Sequence, residues 1–189
     1  MRGDPGSNGA VPPVPVMRQV SASELSSLCK GITTSFLHLE TRDAYGTEVE
    51  LPHMAKWRRG EPDDYQWLGW WLEMLRSHRQ ADRTCRRARV VSEPISEYQQ
   101  WILSFVDRFV DAGEDIRYVP RPDLATVPLP GSGDFYVFDE KLVLFLHYAG
   151  NGTSASYQVT DDPAIIQTCL ESFHAVWDRG RPANDYRSQ

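Results

Sequence analysis

The chain has 189 residues, of which 41% are hydrophobic and 24% charged, with a formal charge of −6 and a pI near 5.3. That length suits one domain with its own core, and six tryptophans argue against disorder over most of it. The acidic balance argues against nucleic-acid binding by bulk electrostatics, and no apolar run approaches the roughly 20 residues that span a bilayer. The N-terminus has no charged start followed by an apolar stretch, so no secretory signal is expected. Cys29, Cys85 and Cys169 are odd in number and far apart, which fits reduced thiols in a cytoplasm better than a disulfide framework.

Residues 1 to 19 hold Gly3, Pro5, Gly6, Gly9, Pro12, Pro13 and Pro15, a composition expected to form a disordered tail. Ser21 and Glu24 have the spacing of a capping box, which predicts a helix to about Lys30. Ser35 to Arg42 alternates polar and apolar residues, the pattern of a half-buried strand with Phe36, His38, Glu40 and Arg42 on one face. A short helix is expected over Leu51–Arg59, then a longer one from about Asp64 to Arg79 whose apolar stripe includes Trp67, Trp71 and Leu75. Arg86 to Ser92 reads as a strand. Ser96 and Gln99 open another helix, which Gly113 ends before a strand over Asp115–Val119.

Pro120 to Gly133 is a proline-rich loop. Phe135–Phe138, Leu142–Tyr148 and Ser154–Val159 then read as three strands joined by the turns Asp139-Glu140-Lys141 and Gly150-Asn151-Gly152. Asp162 caps a last helix with Pro163 at its first position, and Ile166, Leu170, Phe173 and Trp177 form its apolar face. The fold class expected is α/β (α+β), with a mixed, partly antiparallel sheet of about six strands flanked by helices. One domain is expected over 20–180, with a flexible C-terminal tail over 181–189.

Two sets of residues carry a family resemblance. One is Leu39-Glu40-Thr41-Arg42 with Tyr45, Arg89 to Pro94 with Ser96, Tyr98 and Trp101, and Gly113 to Arg117; the other is Asp134-Phe135, Phe138-Asp139 and Asp162-Pro163. In this order, over roughly Leu25 to Trp177, they resemble an actinobacterial family known as domain of unknown function 6879. The resemblance implies a regulatory or signalling role, because many members are encoded beside helix-turn-helix regulators. Ile102 departs from the pattern, which has an acidic residue after the tryptophan. More weakly, the order of strands and helices is similar to half of a phospholipase-D-like domain. Such enzymes use a nucleophilic histidine followed closely by lysine, whereas the corresponding segment here is Phe135-Tyr136-Val137. That resemblance implies a catalytically silent, ligand-sensing relative.

Several groups could carry chemistry. Arg42, with Glu40 as positioning partner beside His38, could hold an anion in two hydrogen bonds; the plainer reading is a solvated ion pair contributing about 0–1 kcal/mol. Glu93, between a strand and Pro94, could be aimed into a cleft or could serve the next helix's dipole. Glu114, Asp115, Arg117 and Arg121 could do acid–base work but read more simply as surface charge. Arg83, Arg86, Arg87 and Arg89 could touch phosphates, although such a run is more often a solvated connection. The five histidines lack metal-ligand spacing, and no cofactor motif is present. Trp67, Trp70 and Trp71 span more of a helix than one core contact needs, so they form a candidate partner surface, with core packing alone as the plainer reading.

The leading expectation is a non-enzymatic regulatory or adaptor domain that binds a partner protein, such as a helix-turn-helix regulator, with a small anionic ligand as a further expectation. Neither membrane association nor direct nucleic-acid binding is expected. The alternative is an enzyme acting on a phosphorylated or carboxylated small molecule through Glu40, Arg42, Glu93, Arg117 and Asp139. The two differ in whether those side chains converge in one pocket.

Overall fold

The computed structural model describes residues 16–131 and 133–187, so residues 1–15 of the expected tail lie outside the described residues. In chain order the elements are β1 (Arg18–Val20), α1 (Ala22–Lys30), β2 (Ser35–Glu40), α2 (Leu51–Arg58), α3 (Gly69–Gln80), β3 (Thr84–Val91), α4 (Glu97–Leu103), α5 (Asp107–Ala112) and β4 (Glu114–Pro120). There follow β5 (Asp134–Phe138), β6 (Leu142–Tyr148), β7 (Ser154–Thr160), α6 (Pro163–Trp177), β8 (Arg181–Pro182) and α7 (Ala183–Arg187).

One mixed sheet runs β1-β7-β6-β5-β2-β3-β4-β8. Strands β2, β3 and β4 are parallel, and every other pairing is antiparallel. The sheet has eight strands where six were expected, because the short β1 and β8 add one edge each. Both lie in segments read as tails. Arg18–Val20 pairs with β7, and Val20 is buried. At the other end, Tyr186 is buried, stacks on Tyr118 with ring centres 5.0 Å apart and donates its hydroxyl to Glu93 Oε1 at 2.9 Å.

Local signals set most boundaries. The Ser21–Glu24 capping box is closed in both directions, and Asp162 accepts from the amides of Ala164 and Ile165. Ser96 accepts from Gln99 N, but the Gln99 side chain bonds Arg42 O instead of completing a box. Gly113 ends α5 at φ 116°, a left-handed conformation that suits glycine. The helix expected from Asp64 starts later: Asp63 and Asp64 accept from the amides of Tyr65 and Gln66, a local turn that competes with helix, and one 3-10 turn over Gln66–Leu68 precedes α3. The helix expected from Ser96 to Gly113 divides into α4 and α5, and at the break the Ser104 hydroxyl donates to Trp101 O at 2.6 Å.

The sheet separates two cores. Leu37, Leu39, Ala88, Val90, Val119, Phe135 and Val137 face α6, with Phe173 and Trp177 among its contacts. On the opposite face, Phe36, Cys85, Ile116, Tyr118 and Tyr136 meet the other helices. Strand β2 was expected to be half solvated. Instead Phe36 through Glu40 are all buried, because helices cover the face that carries its polar residues.

Candidate functional site

The polar residues of that covered face form an ordered patch on three adjacent strands. Register sets His38 beside Arg87 on β3 and Tyr136 on β5, Glu40 beside Arg89, and Cys85 beside Glu114. Period-two alternation then gives Arg87 and Arg89 the same face as His38 and Glu40. Arg87 Nε donates to Glu114 Oε1 at 2.8 Å, and the same guanidinium bonds Glu40 Oε1. Arg89 reaches Glu40 Oε2 at 2.7 Å, an ion pair off the hydrogen-bond direction. Trp71 lies over the Arg87 guanidinium at 5.5 Å and donates its indole N–H to Glu114 Oε2 at 3.4 Å. Buried charge is costly unless paired. Here two cations meet two anions, so this patch is neutral.

Pairing fixes the protonation states. Burial alone would lower the pKa of Arg87, but Glu114 and Glu40 hold it well above the ordinary value; burial and Glu40 act on Arg89 in the same opposed way, with a net rise. Burial, followed by the nearby charges of Arg87 and Arg89, holds His38 well below the usual imidazole range. His38 Nδ1 is 3.6 Å from Glu40 Oε1, a separation that would be an ion pair only if the ring were protonated. We assign a neutral ring, because both Glu40 oxygens already face guanidinium groups. The ring stacks on Tyr136 with centres 3.7 Å apart, and neither nitrogen has a hydrogen-bond partner.

Above this patch is a cavity of about 420 Å³, lined by Glu40, Arg87, Arg89 and several aromatic rings. One wall is the segment 41–50 between β2 and α2, which contributes Tyr45, Thr47, Val49 and Glu50. Hydrogen bonds to several elements tether it. Asp134 accepts from Tyr45 OH at 2.5 Å and from Thr41 N at 2.8 Å, Asp43 accepts from Ser92 N at 2.7 Å, Tyr98 OH donates to Glu50 at 2.8 Å, and Gly46 N donates to Gly152 O at 3.1 Å. The last contact requires glycine at 152, where φ is +86° and a Cβ would lie 3.1 Å from Gly46 N. Burial raises the pKa values of Glu50 and Asp134, against the hydrogen bonds they accept from Thr47 and Tyr98 and from Thr41 and Tyr45.

The structure disperses the residues singled out from sequence. Glu40 lines the cavity, but its partners are Arg87 and Arg89, and the expected Glu40–Arg42 pair does not form. Arg42 lies beyond the strand, with its guanidinium 5.6 Å from the Tyr148 ring centre. Glu93 accepts from Tyr186, so it serves α7. Arg117 is on the opposite sheet face, 4.3 Å from the Trp177 ring centre and bonded to Trp177 O. Asp139 is structural: burial would raise its pKa, but the amides of Ser35, Thr34 and Thr33 hold it far below the carboxylate range. Trp67, Trp70 and Trp71 all line the cavity, and Trp70 is 48% exposed at its mouth.

Arg87 and Arg89 lie in the basic run expected to be solvated, yet both are buried. A signal was present in the i, i+2 spacing that aligns them with Cys85 and Val91. Among the described residues, no group of three or more His, Cys, Asp or Glu could hold a metal ion, and no helix is long and apolar enough to cross a membrane.

No curated protein matches the sequence. Solved structures that share the fold include the following two. Nuc from Salmonella typhimurium, a phospholipase D family member, has 13% identity and a TM-score of 0.52, with 89% of this chain and 98% of that chain covered. NucT from Helicobacter pylori has 10% identity and a TM-score of 0.50, with 88% and 97% covered. Residues 23–188 match the family described as domain of unknown function DUF6879, and the chain belongs to that family.

Proposed function

We propose that this is a non-catalytic, ligand-sensing regulatory domain: a small molecule enters the aromatic cavity, and a partner protein reads its occupancy at the mouth. The observation that carries this reading is the cavity of about 420 Å³ whose floor places unpartnered His38 nitrogens beside an internally neutralised charge patch. That volume suits a small ligand, while buried polar atoms without partners favour a ligand that completes them. Catalysis on a phosphorylated or carboxylated substrate is less well supported, because Glu40, Arg42, Glu93, Arg117 and Asp139 do not share a pocket. The segment that corresponds to the phospholipase-D-like histidine and lysine is Phe135-Tyr136-Val137 on β5, which carries neither group.

The mouth supports the partner role. Val49 and Trp70 line the cavity yet are 60% and 48% exposed, so a protein docked over them would touch the ligand's surroundings directly. A helix-turn-helix regulator is the partner suggested by the family resemblance, and a cytoplasmic setting accords with three buried free cysteines.

The test is a thermal-shift screen of metabolites against the wild-type chain and Ser26→Trp. Ser26 lines the cavity from α1 at a half-buried position, so the variant fills the cavity entrance without opening the core. A ligand that stabilises the wild type but not the variant, and is recovered chemically unchanged, supports the proposal. Turnover of that ligand, or equal stabilisation of both proteins by every hit, overturns it.

A further inference from the structure

The cavity's charges and unpartnered atoms restrict what it can take. Arg87 lies between Glu40 and Glu114, and Arg89 faces Glu40. An added anion would therefore compete with carboxylates already paired to these arginines, while an added cation would leave positive charge beside two guanidinium groups. Either case adds net charge against buried side chains, where the desolvation cost is large. Glu50, the other carboxylate of the lining, already accepts from Thr47 and Tyr98.

The remaining polar atoms include both donors and an acceptor. Neutral His38 offers one of each from its two unpartnered nitrogens, and the Trp67 indole N–H and Arg89 Nε are donors without partners. The surrounding surfaces are flat. Tyr136 and His38 stack at an interplanar angle of 15°, and Trp71 and Tyr148 also line the space. Aromatic walls favour an inserted planar ring through stacking.

We propose that the cavity's ligand is a neutral, planar heteroaromatic ring with hydrogen-bond donors and acceptors on adjoining edges, as in a nucleobase. This rests on the ligand-sensing reading above and names its ligand class. It replaces the small anion expected from Arg42, whose guanidinium is directed to Tyr148 and Ala149 O instead.

Three probes of similar size separate the alternatives at pH 7.5: adenine, which is neutral, benzoate, an anion, and benzamidine, a cation. Tryptophan fluorescence titration of the full chain should show adenine binding at least about tenfold more tightly than either charged probe, a difference of about 1.4 kcal/mol. His38→Phe keeps a flat ring but removes both nitrogens, so it should weaken adenine binding while leaving the thermal transition cooperative. Tighter binding of benzoate or benzamidine would overturn the ligand class and leave the cavity reading standing. No binding of adenine would also overturn the class; the sensing role falls separately, if the metabolite screen finds no Ser26→Trp-sensitive ligand or finds that such a ligand is turned over.

Discussion

Arg87 Nε donates to Glu114 Oε1 at 2.8 Å from a side chain that also bonds Glu40, so one buried guanidinium joins carboxylates from the two strands flanking its own. Register produces this: β3 lies between β2 and β4, and all three partners project to the same face. The resulting patch is both cavity floor and part of the fold.

Removing the central cation alone should therefore cost more than removing it together with one of its carboxylates. Arg87→Met leaves Glu40 and Glu114 buried with one cation fewer, and urea unfolding should show a loss of about 3–5 kcal/mol. Adding Glu114→Gln to that variant should recover part of the loss. A double variant as unstable as the sum of the two single changes would show that the pair is not coupled.

The opposite sheet face should affect stability without affecting the cavity. Trp177 is buried, stacks on Phe173 and carries the guanidinium groups of Arg117 and Arg86. Trp177→Ala should cost about 3–5 kcal/mol. Arg117→Ala should cost less and leave adenine affinity unchanged. Loss of that affinity in folded Arg117→Ala protein would contradict the assignment of Arg117 to the α6 side.

His38 makes a signed contribution to pH dependence. Its folded pKa is depressed, so the unfolded chain takes up a proton near the ordinary value of about 6.5 before the folded one does. Stability should fall as pH drops below about 6.5, at up to about 1.4 kcal/mol per pH unit from this group, until the folded value is passed. Urea midpoints for wild type and His38→Gln at pH 7.5 and 5.5 test this. Wild type should lose more on acidification. Equal losses would mean that the His38 ring is not held neutral in the fold.

Strand β1 should contribute to stability despite its length. A chain beginning at Val16 keeps Val20 and the Ser21 cap, whereas one beginning at Ala22 loses both. Burying a valine side chain contributes about 1.5–3 kcal/mol and a serine cap about 1 kcal/mol, so the shorter chain should be at least about 2 kcal/mol less stable than the longer. Equal stability would show that β1 adds nothing to the sheet.

Much of the fold was legible where a local signal sets the structure. The Ser21–Glu24 box, the Asp162-Pro163 start and the left-handed Gly113 each act within a few residues, and the hydrophobic runs of β5 and β6 read directly as strands. The edges did not read: β1 and β8 span three and two residues, and their pairing comes from distant strands. The site was only partly legible. Glu40 and the tryptophans are legible, but Arg87 and Arg89 read as solvated because burial of an arginine depends on carboxylates far along the chain, Glu114 for Arg87 and Glu40 for both. Asp139 misled for a related reason: its carboxylate is used by three amides at the start of β2, a contact that spans 104 to 106 positions.

The most direct measurement is the response of the tryptophan indole N–H resonances of the 15N-labelled full chain to added adenine. Trp67, Trp70 and Trp71 line the cavity, while Trp177 lies on the opposite face of the sheet. Adenine in the cavity should give saturable shifts for the first three and a static resonance for Trp177. A saturable shift at Trp177 with the cavity tryptophans unmoved, or no shift at any indole, would contradict it.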